Sequence, residues 1–322
     1  MWTFEETIEG EKLTDIINAR HENVKYLPGI KLPDNIVAQP DLAVAAKDAD
    51  VLVFCLPHQF LHKLLPTIKE VMSPTAFGIS LIKGIDFDDH GVVLVSDVIR
   101  DALGIEVSCL MGANVANEVA LGEFAEATVG GDPGHAAVFK TLFHTPTFHI
   151  ATVSDGRAVE LCGALKNIVA LGCGFIDGLG MGNNTKAAVI RIGLIEMGRF
   201  IEMHTGSFPM EVLLQSCGAA DLITTCYGGR NRKCAEAFVK TGKSWEQIEE
   251  ELLNGQKLQG TLTSMELQKV LAAKQVEEQF PLFTNIFKIA FENAEPETVV
   301  KGLEKEEAML DGSATSTQAR PE

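Results

Sequence analysis

From Glu160 to Phe175 the chain reads ELCGALKNIVALGCGF, and after Glu160 its polar side chains are Lys166 and Asn167. An unpaired ammonium in such surroundings costs several kcal/mol, so the group sheds its proton, its pKa falling from about 10.4 by as much as ~3–5 units. A lysine titrating nearer neutrality suits general acid/base work. The competing reading lays the lysine stem along an apolar face while its head snorkels to water. A second constellation is DLITTCYGGRNRK, Asp221 to Lys233, where Tyr227, Gly228 and Gly229 form a turn and a helix begins with Arg230, Asn231, Arg232 and Lys233. Cations in a first helical turn oppose the macrodipole, and the conflict disappears if free N–H groups and a guanidinium hold an anion there. The alternative is a solvated basic face.

Lys83 closes GISLIKG and Asn114 closes EVSCLMGAN, each at the carboxyl end of an expected strand. Ligands of doubly wound sheets bind at that edge. Lys83 is otherwise a solvated residue after a strand, and Asn114 otherwise a helix cap. Lys257 and Gln259, in the glycine-bounded loop NGQKLQG, either reach a ligand or merely connect helices. His58 and His62 are spaced i, i+4 without a third ligand nearby, so no metal site is expected.

The elements that must position these groups fall into two sets. Up to about residue 155, β-branched runs (Asp48–Pro57, Thr75–Gly84, Glu106–Asn114, then EATVGG and TFHIATVS) alternate with helical patterns such as HQFLHKLLPTIKEVM and the stretch from Pro133 to Phe143. Strands buried on both faces with helices between them mean βαβ units and a mostly parallel sheet. Beyond that point helical periodicity takes over: 156–174, 185–204, 208–217, 232–241, 244–253, 261–273, 281–291 and 296–304. The tail 305–322 is polar and expected to be disordered.

Composition sets the class. With 322 residues, 46% hydrophobic and 22% charged, two soluble globular domains are expected. A net charge of -17 excludes nucleic acid and anionic membrane as partners, so an anionic ligand needs a local basic pocket. Seven cysteines without a C-x-x-C pair suit reduced thiols in the cytoplasm. MWTFEETIEGEK has the features of neither a secretory nor a mitochondrial leader, and the Lys166 stretch falls short of the ~20 apolar residues of a membrane span.

Taken together, FCLPHQF, SLIKG, LMGANVANEVA, ELCGALKNIVALGCGFIDGLGMGNNTKAAVIRIGLIEM, SCGAADLITTCYGGRNRK and ELLNGQKLQG resemble the cytosolic NAD-dependent glycerol-3-phosphate dehydrogenases of eukaryotes, in order from residue 1 to about 300. The resemblance implies an α/β, Rossmann-like domain over 1–153, an all-α substrate and dimerisation domain over 154–304, a homodimer, and interconversion of sn-glycerol 3-phosphate with dihydroxyacetone phosphate. It makes Lys166 the catalytic acid/base and Lys83 a substrate-binding, carbonyl-polarising partner. Asn114, Asn167, Asp221, Thr225, Arg230 and Asn231 become substrate-binding, with Arg230 on the phosphate and Asn167 assisting Lys166. Phe4, Phe60, Ala116, Arg230, Lys257 and Gln259 fall on positions lining the NAD.

One departure stands out. The dinucleotide fingerprint G-x-G-x-x-G is absent from the sequence, and GLGMGNN has glycines at another spacing. By resemblance MWTFEETIEG matches the end of the family's second strand, so the sheet is expected to be N-terminally truncated: first strand, glycine loop and first helix are missing. The chain as written is then expected to bind NADH poorly or not at all. The alternative function is a catalytically silent, truncated subunit that only dimerises. Glu5 and Glu6, with no arginine near, point to NAD over NADP in the complete form.

Overall fold

The computed structural model describes residues 1–88, 91–301 and 303; the tail 305–322 lies outside them, as does Glu304. The chain divides into two compact units, Met1–Leu161 with Leu214–Cys217, and Cys162–Leu213 with the residues from Gly218 onward.

The first unit is built on a five-stranded sheet of β1 (Val51–Phe54), β2 (Phe77–Ser80), β3 (Val107–Met111), β4 (Ala125–Gly130) and β5 (Phe148–Val153), lying in that order. Three of the four pairings are parallel, and β3 with β4 is antiparallel. Helices α1 (Leu61–Val71), α2 (Val95–Leu103) and α3 (Pro133–Phe143) cover it. Phe54 packs with Leu61, Leu65, Ile68, Ile99 and Leu103 in one core; Ile79, Leu110, Val129 and Ile150 pack with Ala136 and Phe139 in another. Each such side chain contributes about 1.5–3 kcal/mol over leaving it exposed. The start of α3 is locally encoded: Asp132 caps it by accepting from Gly134 N and His135 N, with Pro133 at its first position.

β1 is an edge of this sheet, with Val53 46% exposed. Trp2 makes an isolated parallel bridge to Gln39, and Leu13, Ile17 and Ala38 form a small separate core. A hairpin, Ile85–Asp88 with Gly91–Leu94, follows Lys83; the sequence reading had no strand there.

The second unit is helical: the greater part of α4 (Gly156–Gly178), then α5 (Asn183–Thr205), α6 (Asp221–Gly228), α7 (Arg230–Thr241), α8 (Trp245–Leu253), α9 (Gln259–Lys274) and α10 (Pro281–Phe291). The apolar span of α4 is entirely buried in protein, which accounts for its membrane-like composition. Small residues let it pack closely. A Cβ on Gly193 of α5 would come within 2.4 Å of Val169, and one on Gly174 within 2.4 Å of the Arg232 carbonyl.

Three helical expectations need correction. The stretch 208–217 is a short helix, Met210–Leu213, followed by a π turn at Ser216–Ala220, where Gly218 passes so close to Leu213 that a Cβ would sit 2.2 Å from its carbonyl. α6 was not anticipated, because its β-branched residues and terminal glycines carry weak helix propensity. Residues Pro296–Val300 form a 3-10 turn rather than an α-helix.

Candidate active site

In the first unit, β2 and β3 run parallel in the register Ser80 to Cys109, so the segments that follow them emerge side by side. Lys83 Nζ donates to Gly112 O at 3.1 Å and to Asn114 Oδ1 at 3.2 Å. The loop carrying these acceptors is pinned from below: Ala113 N donates to Ser216 Oγ at 3.2 Å, and Ser216 Oγ donates to Glu126 O at 2.7 Å. Gly112 is wedged there, since a Cβ would lie 2.6 Å from both Ala127 Cα and Glu126 O. Asn114 does not cap the next helix, Ala116–Ala120, which starts from Val115 without a side-chain cap. Its carbonyl oxygen instead orients an ammonium at the ligand edge of the sheet.

Phe60 ends the turn after β1, and Ala116 opens the helix after β3, both at carboxyl strand ends; Phe4 lies near the Trp2 bridge and is largely exposed. Glu5 is engaged by Thr14, through N and Oγ1, and Glu6 pairs with Lys25 and accepts from Tyr26 Oη at 2.7 Å. A cation, Lys25, thus stands beside Glu6, where the sequence reading had looked only for an arginine. The hydrogen bond from Lys25 holds the Glu6 carboxyl below its ordinary range.

In the second unit Lys166 sits midway along α4 with 3% of its surface exposed. Its ammonium pairs with Asp221 and donates to Thr225 Oγ1 at 2.9 Å. Asp221 and Thr225 are i, i+4 on α6 and so share a face. The burial rules out the snorkelling reading. The premise that the ammonium is unpaired also needs correction, because the Asp221 carboxylate lies against it.

Asn167 Oδ1 accepts from Asn231 Nδ2 at 3.0 Å, and Asn231 Oδ1 accepts from Gly260 N at 2.9 Å. Asn167 therefore positions Asn231 and, through it, the start of α9. Arg230 is the first residue of α7, whose N-cap Gly229 supplies no side chain, and Arg230 Nη1 donates to Gln256 Oε1 at 3.0 Å. Lys257 Nζ donates to Glu249 Oε2 at 2.7 Å, which raises the Lys257 pKa, and Leu258 N donates to the other oxygen of that carboxylate at 3.0 Å. Gln259 opens α9. The loop of Lys257 and Gln259 is thereby tied to the helix starts that carry Arg230 and Asn231.

Sequence reasoning missed Ser216, Glu249 and Gln256, whose work is to hold other groups. Glu249 alone left a signal, an acidic residue that the helical period places on the buried face of α8. Burial holds the Cys109 thiol well above its ordinary range; a hydrogen bond with Cys173, then burial, does the same for Cys226. Both are packing thiols.

Residues 1–137 match the family described as NAD-dependent glycerol-3-phosphate dehydrogenase N-terminus, and residues 155–301 its C-terminus. The chain belongs to the NAD-dependent glycerol-3-phosphate dehydrogenase family. The cytoplasmic glycerol-3-phosphate dehydrogenase [NAD(+)] of Bos taurus is 56% identical over 295 residues, 91% of this chain and 84% of that protein. The glycerol-3-phosphate dehydrogenase 1-like protein of Xenopus tropicalis is 56% identical over 306 residues, 94% and 87% of the two chains. Among solved structures, the Plasmodium falciparum glycerol-3-phosphate dehydrogenase superposes with a TM-score of 0.89 at 45% identity, covering 94% of this chain and 85% of that one. The Rossmann-like and helical architecture and the oxidoreductase class expected from the sequence are those of this family, and the cattle enzyme is named for the cytoplasm, the expected location.

The glycerol-3-phosphate dehydrogenase family uses NAD. Phe60 and Ala116 lie at carboxyl ends of strands, the edge along which a dinucleotide runs in a doubly wound sheet.

Proposed function

We propose that this chain acts on sn-glycerol 3-phosphate and dihydroxyacetone phosphate, with Lys166 as general acid/base. The observation that supports this most is the buried Lys166–Asp221–Thr225 cluster, a cation held in fixed orientation inside an apolar helix. In the reductive direction Lys166 delivers a proton to the carbonyl oxygen at C2 as negative charge grows there; in the oxidative direction it takes the hydroxyl proton. Asp221 and Thr225 fix the direction of its Nζ. Lys83, oriented by Asn114 and Gly112 O, is assigned the carbonyl-polarising role. Arg230 and the N–H groups opening α7 receive the phosphate, a dianion that relieves the unfavourable cations of that first turn. Asn231, held by Asn167, keeps its place beside Arg230. Phe4, Phe60, Ala116, Lys257 and Gln259 are assigned to the NAD, and the hydride chemistry is that cofactor's.

The test compares dihydroxyacetone phosphate reduction by this chain and by a version preceded by the family's G-x-G-x-x-G segment, each with and without Lys166→Ala. Turnover that depends on Lys166 is the expected result; normal turnover by the variant overturns the acid/base role.

A further inference from the structure

We infer that Asp177 is a positioning residue for the phosphate side of the site, acting through Lys186 and Arg232 to fix the junction of α6 and α7 between Tyr227 and Arg230. The inference rests on the proposed role of Arg230.

Asp177 is the next-to-last residue of α4, and Lys186 lies in the opening turns of α5. Each charge stands at the helix end where the macrodipole opposes it. Lys186 is also buried, its side chain 6% exposed. Two unfavourable placements persist because they answer each other: Lys186 Nζ lies 2.7 Å from Asp177 Oδ2, and Arg232 Nε lies 3.4 Å from the same oxygen. Both cations then converge on one residue. Lys186 Nζ sits 4.5 Å from the centre of the Tyr227 ring, and Arg232 Nε donates to Tyr227 O at 3.1 Å; the other end of the guanidinium pairs with Glu236.

Tyr227 is the last side chain before Gly228 and Gly229, the residue type with most backbone freedom. Thr225, bound to Lys166, lies just before it and Arg230 just after. Gly229 N donates to Thr225 O at 3.0 Å, and a Cβ on Gly229 would come within 2.4 Å of that oxygen, so a larger residue cannot stiffen the junction. A clamp on Tyr227 supplies the stiffness instead.

The test uses the whole chain. Asp177→Asn is expected to speed amide exchange at Gly228 to Asn231 about tenfold while leaving the middle of α4 unchanged, and to weaken glycerol 3-phosphate binding by a similar factor in calorimetry; Asp177→Glu recovers part of both. Unchanged exchange at the junction overturns the inference whatever the ligand does. If exchange responds but Arg230→Gln binds glycerol 3-phosphate as wild type does, the reading of Arg230 fails and takes the assigned purpose with it. Should Asp177→Asn lose its helical circular dichroism, Lys186→Met, which removes one arm of the clamp, carries the same comparison.

Discussion

Lys166 and Asp221 form an ion pair with each side chain 4% exposed, one from the middle of a 23-residue apolar helix and the other from the first turn of a helix 55 positions later in the sequence. Removing one member leaves the other buried and uncompensated, which costs about 3–5 kcal/mol. Lys166→Ala is therefore expected to lose both turnover and stability. The double variant Lys166→Met with Asp221→Leu restores the thermal midpoint without restoring turnover. Denaturant melts beside dihydroxyacetone phosphate reduction separate the two effects; a double variant that turns over would end the catalytic assignment.

Lys83 behaves differently, because its head lies at a partly buried strand end. Lys83→Met is expected to change stability by less than about 1 kcal/mol while lowering kcat on the order of 100-fold, the scale of losing one group that meets developing charge. Asn114→Ala shares the direction with a smaller loss, since it removes only the orienting oxygen. Steady-state rates on a glycine-loop-bearing version check both.

Glu160 offers a pH test. Its carboxylate, buried in the first turns of α4, accepts from Ser96 N at 3.1 Å and from Ser96 Oγ, and burial raises its pKa from 4.5 to about 7. The raised folded value means that the folded state holds the proton more tightly than the unfolded chain. Its stabilising effect is full below about pH 4.5 and is lost as pH rises to about 7, a change of about 3 kcal/mol. Stability of wild type minus that of Glu160→Gln, from urea melts across that window, is expected to fall by this amount. A flat difference would show that the charge is not buried.

Gly260 sits where a Cβ would meet Asn167 O at 2.6 Å and Asn231 Oδ1 at 2.7 Å. Gly260→Ala is expected to cost about 1–3 kcal/mol through overpacking and to displace Asn231. A lowered thermal midpoint together with weaker glycerol 3-phosphate binding checks it; unchanged binding would separate Asn231 from the phosphate.

Much of the site was legible as residue type and place. Lys83 and Asn114 were found because a strand that turns polar within a residue or two marks a sheet's ligand edge, and their direct hydrogen bond follows from β2 and β3 being neighbours. Lys166 was found because a lone cation in an apolar run is costly. Asp221 was named through the family resemblance, but its pairing with Lys166 was not foreseen, since it is distant in sequence and opens a helix whose own propensity is weak.

By itself the sequence determined the alternation of strand and helix, the apolar run of α4 around Lys166, and the motifs that place the chain in its family, because periodicity and residue spacing are local properties. Tertiary structure alone decided which groups neutralise one another: Asp221 on Lys166, Glu249 on Lys257, Asp177 on both Lys186 and Arg232. Ion pairing falls off within a few ångströms and takes no account of separation along the chain, so only packing can bring such partners within reach.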